Sequence, residues 1–215
     1  TAGGTIWLVW SANRTGNFDI YYKTSQDNGA TWSTDKSLNY PETNDRNPSI
    51  AQAADGKIWF VWVRDKNLNL NIWYKTYNAT SNSWSATTQV TQDSGDILDL
   101  NPSVMPANDG NIWIVWDSDK VGGQADIYYQ TRSPPLFGGS EIIRLIVNQE
   151  DDLMPSIMQA ADGTTWITWA TVRANNWDIR YMTTKIPQPN DVAIVSVIPT
   201  EVTVNEGQMV AIEVV

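Results

Sequence analysis

The 215-residue chain contains no cysteine and no histidine. The first absence excludes disulfide staples, thiolate metal sites and a cysteine nucleophile. The second removes the commonest general base and the commonest neutral metal ligand. Basic residues are few: 14 Lys and Arg against 24 Asp and Glu give a net charge of −10, which argues against nucleic-acid binding driven by phosphate neutralisation. No apolar run reaches membrane-spanning length, and the opening residues do not read as a signal peptide. Phenylalanine is scarce too, with 3 residues against 12 tryptophans, so indoles carry the aromatic packing. Apolar residues nevertheless make up 41% of the chain, enough for a core in one or two domains.

What is present is a repeat. Trp7-Leu8-Val9-Trp10 returns as Trp59-Phe60-Val61-Trp62, Trp113-Ile114-Val115-Trp116 and Trp166-Ile167-Thr168-Trp169, with first tryptophans 52, 54 and 53 residues apart. An interval of this size fits four-stranded propeller blades. In an extended chain Trp59 and Trp62 point to opposite faces, so the run Ile58 to Trp62 needs cover on both sides, which a blade between two neighbours has.

Ahead of three of these strands stands a proline-marked strand: Asn47 to Ala53, Asn101 to Ala107 and Met154 to Ala160. Its proline is expected at the strand opening, where no ladder donor is required, and the small Ser49, Ala51 and Ala53 suit an innermost strand. Asp55-Gly56, Asp109-Gly110 and Asp162-Gly163 then predict tight reversals. A third strand follows at Asp19 to Thr24, Asn71 to Thr76, Asp126 to Thr131 and Asp178 to Thr183. Alternation puts Tyr22, Tyr74, Tyr129 and Tyr181 on one face with the isoleucines, hence in the core. Fourth strands are expected near 31–39, 83–90 and 140–147.

Between third and fourth strands lies Ser25-Gln26-Asp27-Asn28-Gly29-Ala30-Thr31-Trp32. Asp27 can bond back to turn amides, Gly29 supplies an unusual backbone angle, and Trp32 pins the turn to the sheet. On Ser25, Asp27, Gly29, Thr31 and Trp32 the stretch resembles the Asp-box, or BNR repeat, of the sialidase-like β-propellers. The later copies are eroded: Ser83-Trp84 survives in the second, and Ser133 to Gly139 has lost the pattern. The resemblance implies a propeller, with this turn structural and away from any catalytic face. It would also bring an arginine cluster, a tyrosine nucleophile with its glutamate, and an aspartate acid/base. The nearest approach to the family's arginine motif is Arg46-Asn47-Pro48, whose counterparts are Leu100 and Leu153, so no catalytic residue is carried over.

The chain therefore reads as all-β: a four-bladed propeller, or part of a six- to eight-bladed one, over 1–186, with units at about 1–39, 47–90, 101–147 and 154–184. The first unit lacks an inner strand and the last an outer one, leaving open edges to be completed by further sequence or by another copy. Residues 187–190 form a short stiff linker. Two strands within 191–215 resemble the opening of an Ig-like module of bacterial and archaeal surface proteins, which implies an extracellular or cell-surface setting.

The loops leading into the inner strands are acidic: Glu42 and Asp45; Asp93, Asp96 and Asp99; Glu150, Asp151 and Asp152. Those after the second strands add Arg64, Asn67, Asp117, Asp119, Asp126, Arg173, Asn175 and Trp177. Asp45, Asp96, Asp99, Asp152, Arg64, Asp117 and Trp177 could form a face for glycan hydroxyls or calcium; no other cofactor is expected. On the alternative reading Asp45, Asp99 and Asp152 cap turn amides and keep the surface soluble. Two functions follow as expectations: a non-catalytic module binding a glycan or a surface protein, or a sialidase-type glycoside hydrolase completed by sequence not in hand.

Overall fold

The computed structural model describes residues 4–38, 43–66, 69–93, 97–133, 138–174 and 176–185. The expected linker and Ig-like strands lie outside these residues, as do Glu42, Asn67, Asp96 and Asn175. The fold is all-β, a partial β-propeller of four antiparallel sheets. Sheet 1 holds β1 (Ile6–Asn13), β2 (Phe18–Ser25) and β3 (Lys36–Ser37). Sheet 2 runs through β4 (Asn44–Gln52), β5 (Ile58–Lys66) and β6 (Asn69–Asn78), with β7 (Ser83–Trp84) and β8 (Thr88–Gln89) both on β6. Sheet 3 repeats this order with β9 (Asp99–Pro106), β10 (Ile112–Ser118), β11 (Asp126–Ser133), β12 (Gly138–Gly139) and β13 (Ile143–Arg144). Sheet 4 comprises β14 (Asp151–Gln159), β15 (Thr164–Arg173) and β16 (Asn176–Lys185). The chain divides into two compact units, 1–104 and 105–215.

Two expectations need correcting. The inner strands begin earlier than their prolines, at Asn44, Asp99 and Asp151, so Pro48, Pro102 and Pro155 sit within strands rather than opening them. What makes this tolerable is a bulge: the register slips between Arg46 and Ser49 and between Leu153 and Ser156. The residue before each proline takes a left-handed conformation, with φ of 51° at Asn47, 50° at Asn101 and 54° at Met154. The unpaired step absorbs the missing proline donor.

The outer strands are likewise not continuous. Ser33, Ser85 and Ser140 each donate their amide to the third strand, at Thr24, Thr76 and Thr131. Their hydroxyls accept the amides of those same threonines at 3.0, 2.9 and 3.1 Å. A side chain replaces the main-chain carbonyl at that step, so the ladder breaks into two-residue pairs while its polar groups stay satisfied.

In each sheet the first tryptophan lies against the third-strand tyrosine, at ring centroid distances of 5.5 Å (Trp7–Tyr22), 4.8 Å (Trp59–Tyr74), 4.9 Å (Trp113–Tyr129) and 5.2 Å (Trp166–Tyr181). Such cross-strand pairs contribute about 0.5–1.5 kcal/mol each beyond their burial. In the first unit Ile20 and Tyr22 of sheet 1 join Ile58, Phe60 and Trp62 of sheet 2 in one core. The second unit repeats the arrangement, Met105, Val115 and Ile127 of sheet 3 meeting Ile157, Ile167 and Trp169 of sheet 4.

The turn from Ser25 to Trp32 is held by its own side chains. Asp27 accepts the Thr31 amide at 2.8 Å, the Thr31 hydroxyl at 2.5 Å and the Ser25 hydroxyl at 2.7 Å. Gly29, at φ 90°, donates its amide to Ser25 Oγ at 2.8 Å. The Thr31 hydroxyl, then its amide and Ser25, hold the Asp27 carboxylate in its charged form and bring its pKa down to about 2.

Candidate functional site

Antiparallel pairing brings the start of each inner strand, the end of the second and the start of the third into one row. In sheet 2 the row is Asp45, Arg64 and Asn71; in sheet 4 it is Asp152, Thr171 and Asp178. Sheet 3 has Ser118 opposite Asp126, and sheet 1 has Ala12 opposite Asp19.

Asp45 and Asp152 are both fully buried, and each accepts the indole N–H of its sheet's second strand tryptophan: Trp62 at 3.1 Å, Trp169 at 2.9 Å. The remaining partners differ. Arg64 grips Asp45 with two bonds, Nε to Oδ1 at 2.8 Å and Nη2 to Oδ2 at 3.0 Å. Its guanidinium also lies over the Trp62 and Trp73 rings, 5.6 and 5.0 Å from their centroids. At the same register position Thr171 donates its hydroxyl to Asp152 Oδ1 at 2.5 Å, and Asn148 supplies an amide to Oδ2 at 2.8 Å. Burial pushes the Asp152 pKa up; the bonds from Thr171, Asn148 and Trp169 and the charge of Arg180 oppose the rise.

A second carboxylate stands beside each of these. The Phe18 amide donates to Asn44 Oδ1 at 3.1 Å, and the Ala125 amide to Asp151 Oδ1 at 3.1 Å. These matching bonds dock the start of one sheet's third strand on the start of the next sheet's inner strand. They thereby place Asp19 near Asp45 in the first unit and Asp126 near Asp152 in the second. Asp19 and Asp126 are buried, and each has its Oδ1 without a hydrogen-bond partner among the described residues. Asp126 Oδ2 is held by Arg144 at 2.5 Å. Burial, then the neighbouring Asp45, raises the pKa of Asp19. Burial also raises that of Asp126, with Arg144 opposing and Asp152 and Asp151 reinforcing.

The acidic face expected from the sequence is thus mostly internal. Asp45, Asp99 and Asp152 are fully buried, so the role of keeping a surface soluble does not fit them. Asp117 is buried as well and accepts the Met154 amide at 2.9 Å, inside the second unit. Among the described residues no group of three or more acidic side chains is arranged to hold a metal ion. Trp177 differs from the rest: its side chain is open to solvent, while alternation along the strands sets Asp178, Arg180 and Arg173 on the other side of sheet 4. Arg180 and Arg173 reach Glu150 at 2.9 and 3.4 Å, and Arg173 also approaches Asp178 at 3.9 Å.

Residues missed in the sequence include Asp19, Arg144, Asn148, Thr171 and Arg180. One signal was available for the aspartate locks. Asp45 precedes Trp62 by 17 residues, Asp152 precedes Trp169 by 17, and Asp99 stands at the same remove from Trp116.

No protein-family profile matches the chain, and no curated protein does. Solved structures match in fold. An α-L-arabinanase of Penicillium chrysogenum complexed with arabinobiose superposes with a TM-score of 0.68 at 12% identity, over 85% of this chain and 60% of that one. A Dyadobacter fermentans protein of unknown function gives 0.68 at 13%, over 84% and 62%. A Hadza microbial sialidase gives 0.61 at 13%, over 86% and 43%. The chain spans less than two thirds of each of these structures. Among the described residues no helix is long and apolar enough to cross a membrane.

Proposed function

We propose that the chain is a non-catalytic, glycan-binding propeller module of a secreted or cell-surface protein. The observation that carries this reading is the exposed Trp177 side chain near the start of the last strand of sheet 4, 58% open to solvent. An open aromatic face stacks on the apolar face of a sugar ring. The arabinanase and sialidase neighbours lend support from fold, and the self-bonded Ser25 to Trp32 turn supports kinship with the Asp-box propellers. A glycan array of arabino-oligosaccharides and sialosides, run with and without calcium, tests it. Retention that falls at least about tenfold, roughly 1.4 kcal/mol, in Trp177→Ala is expected. Failure to retain any glycan in either condition would discard the reading.

A glycoside hydrolase is the second reading, favoured by the Asp126 and Asp152 pair. Two carboxylates with raised proton affinity are the raw material of general-acid chemistry on a glycosidic bond. Turnover of fluorogenic sialosides or arabinofuranosides that disappears in Asp126→Asn would favour it. Absence of turnover in the intact chain would leave the binding module.

A further inference from the structure

Two stretches of the chain read Asn-x-Thr, Asn13-Arg14-Thr15 and Asn78-Ala79-Thr80, the pattern an oligosaccharyltransferase reads when it attaches a glycan to asparagine. So short a pattern decides nothing by itself. The enzyme needs an asparagine amide nitrogen and a hydroxyl two residues on, both reachable from solvent and neither committed elsewhere, and the fold treats the two stretches differently. Asn78 closes β6, and Ala79 and Thr80 are exposed in the turn that leads to β7. Asn78 Oδ1 accepts the Thr80 and Ser81 amides at 2.9 and 3.3 Å, which sets the asparagine side chain beside Thr80. Those bonds use the oxygen alone: among the described residues neither Asn78 Nδ2 nor the Thr80 hydroxyl takes part in a further hydrogen bond. The stretch at Asn13 is committed at each of its three residues. Asn13 Oδ1 accepts the Gly16 amide at 3.0 Å, and the Thr15 hydroxyl donates to the buried Asp19 at 3.4 Å. Arg14 bonds Asp35 at 2.7 Å and lies over the Tyr21 ring, 4.3 Å from its centroid.

The repeat supplies a second contrast. The Ser25 to Trp32 turn is closed by Asp27, and alignment on Trp32 and Trp84 puts Ala79 at that step in sheet 2. The closing acceptor there is Asn78, one residue earlier, so a carboxylate has given way to a carboxamide whose nitrogen is spare. We infer that Asn78 is an N-glycan acceptor and that Asn13 is not. In the transfer, Asn78 Nδ2 bonds to the anomeric carbon of a lipid-pyrophosphate-linked oligosaccharide as the bond from that carbon to the pyrophosphate oxygen breaks. The oxygen keeps the electron pair, the amide gives up one proton, and nothing is oxidised or reduced. Asn78 and Asn71 lie towards opposite ends of β6, roughly 23 Å apart at the rise of a strand. A glycan on Asn78 therefore projects away from the row of Asp45, Arg64 and Asn71. Its attachment in the cell rests on the secreted or cell-surface setting proposed above; the difference between the two acceptors does not.

The folded full chain, incubated with a purified single-subunit oligosaccharyltransferase and a lipid-pyrophosphate-linked oligosaccharide, tests this by peptide mass spectrometry. A free Asn-Ala-Thr peptide in the same reaction reports that the transferase is active. Initial transfer to Asn78 is expected to run at least about tenfold faster than to Asn13, a barrier difference of about 1.4 kcal/mol, the size of one hydrogen bond that has to be broken first. Thr80→Ala is expected to abolish transfer to Asn78 and Thr80→Ser to retain it; Thr80 is exposed, and circular dichroism checks that both variants keep their sheets. No transfer to Asn78, transfer to Asn13 at an equal rate, or transfer that survives in Thr80→Ala would overturn the inference. Because enzyme and donor are supplied, the outcome is independent of where the chain works. A chain that takes the glycan here yet retains nothing on the array would discard the binding module and keep the acceptor site.

Discussion

Asp45 in the first unit and Asp152 in the second fill one step of the repeat, yet their charges are handled differently. Both are sealed from water and both anchor an indole N–H. Asp45 is answered by a guanidinium across the strand, and Asp152 by a hydroxyl and an amide. A bidentate arginine sets opposite charge against the buried Asp45; burial raises the proton affinity of Asp152, with its three neutral donors and the charge of Arg180 opposing the rise. The same skeleton thus yields a bidentate ion pair in one unit and a carboxylate held mainly by neutral donors in the other.

The comparison can be broken most severely at Arg64. Arg64→Leu leaves Asp45 buried without its counterion and is expected to cost about 3–5 kcal/mol in denaturant unfolding. The double change Asp45→Asn with Arg64→Leu removes both charges and is expected to recover much of that loss, which sets the pair apart from mere packing. Trp169→Phe deletes one donor to a buried charge, and a loss of about 1.5–3 kcal/mol is expected from it. At Met154, where the first two inner strands have Asn, substitution by Asn should relieve left-handed strain and raise stability by roughly 1 kcal/mol.

Dependence on pH separates the carboxylates further, with opposite signs. A raised folded pKa means that the fold holds the Asp152 proton more tightly than the unfolded chain does. Its contribution therefore improves as pH falls from that raised value towards the ordinary carboxylate range, and ionisation at higher pH weakens it. Asp152→Asn should flatten this part of the unfolding profile. Asp27 behaves in reverse: its stabilisation is complete above the ordinary carboxylate value near 3.8 and fades as pH drops towards 2. The smallest effect is accordingly local, a faster hydrogen exchange of the Gly29 and Thr31 amides at acid pH or in Asp27→Ala, seen by NMR.

The blades were legible because the paired tryptophans repeat at near-constant spacing, and Asp-Gly turns punctuate them. The inner-strand boundaries were not. Pro48 looks like a strand opening until Asn47 is seen to carry a bulge that absorbs the missing donor. The outer strands were misjudged because Ser33, Ser85 and Ser140 bond as side chains where a ladder would use the main chain. At the site, residue type pointed to an acidic surface, and only the register revealed that Asp45 and Asp152 turn inward to an indole. Trp177 could be picked out as a loop aromatic, but its exposure depends on what lies across the sheet, which no local pattern encodes.

The most direct test of the division between buried framework and open platform is calorimetric titration of an array-identified glycan into Trp177→Ala and Asp152→Asn, each held below its unfolding midpoint. Trp177→Ala should lose the binding heat while melting like the wild type, and Asp152→Asn should melt differently while binding unchanged. Binding that survives without the Trp177 indole but vanishes with the Asp152 carboxylate would contradict the division.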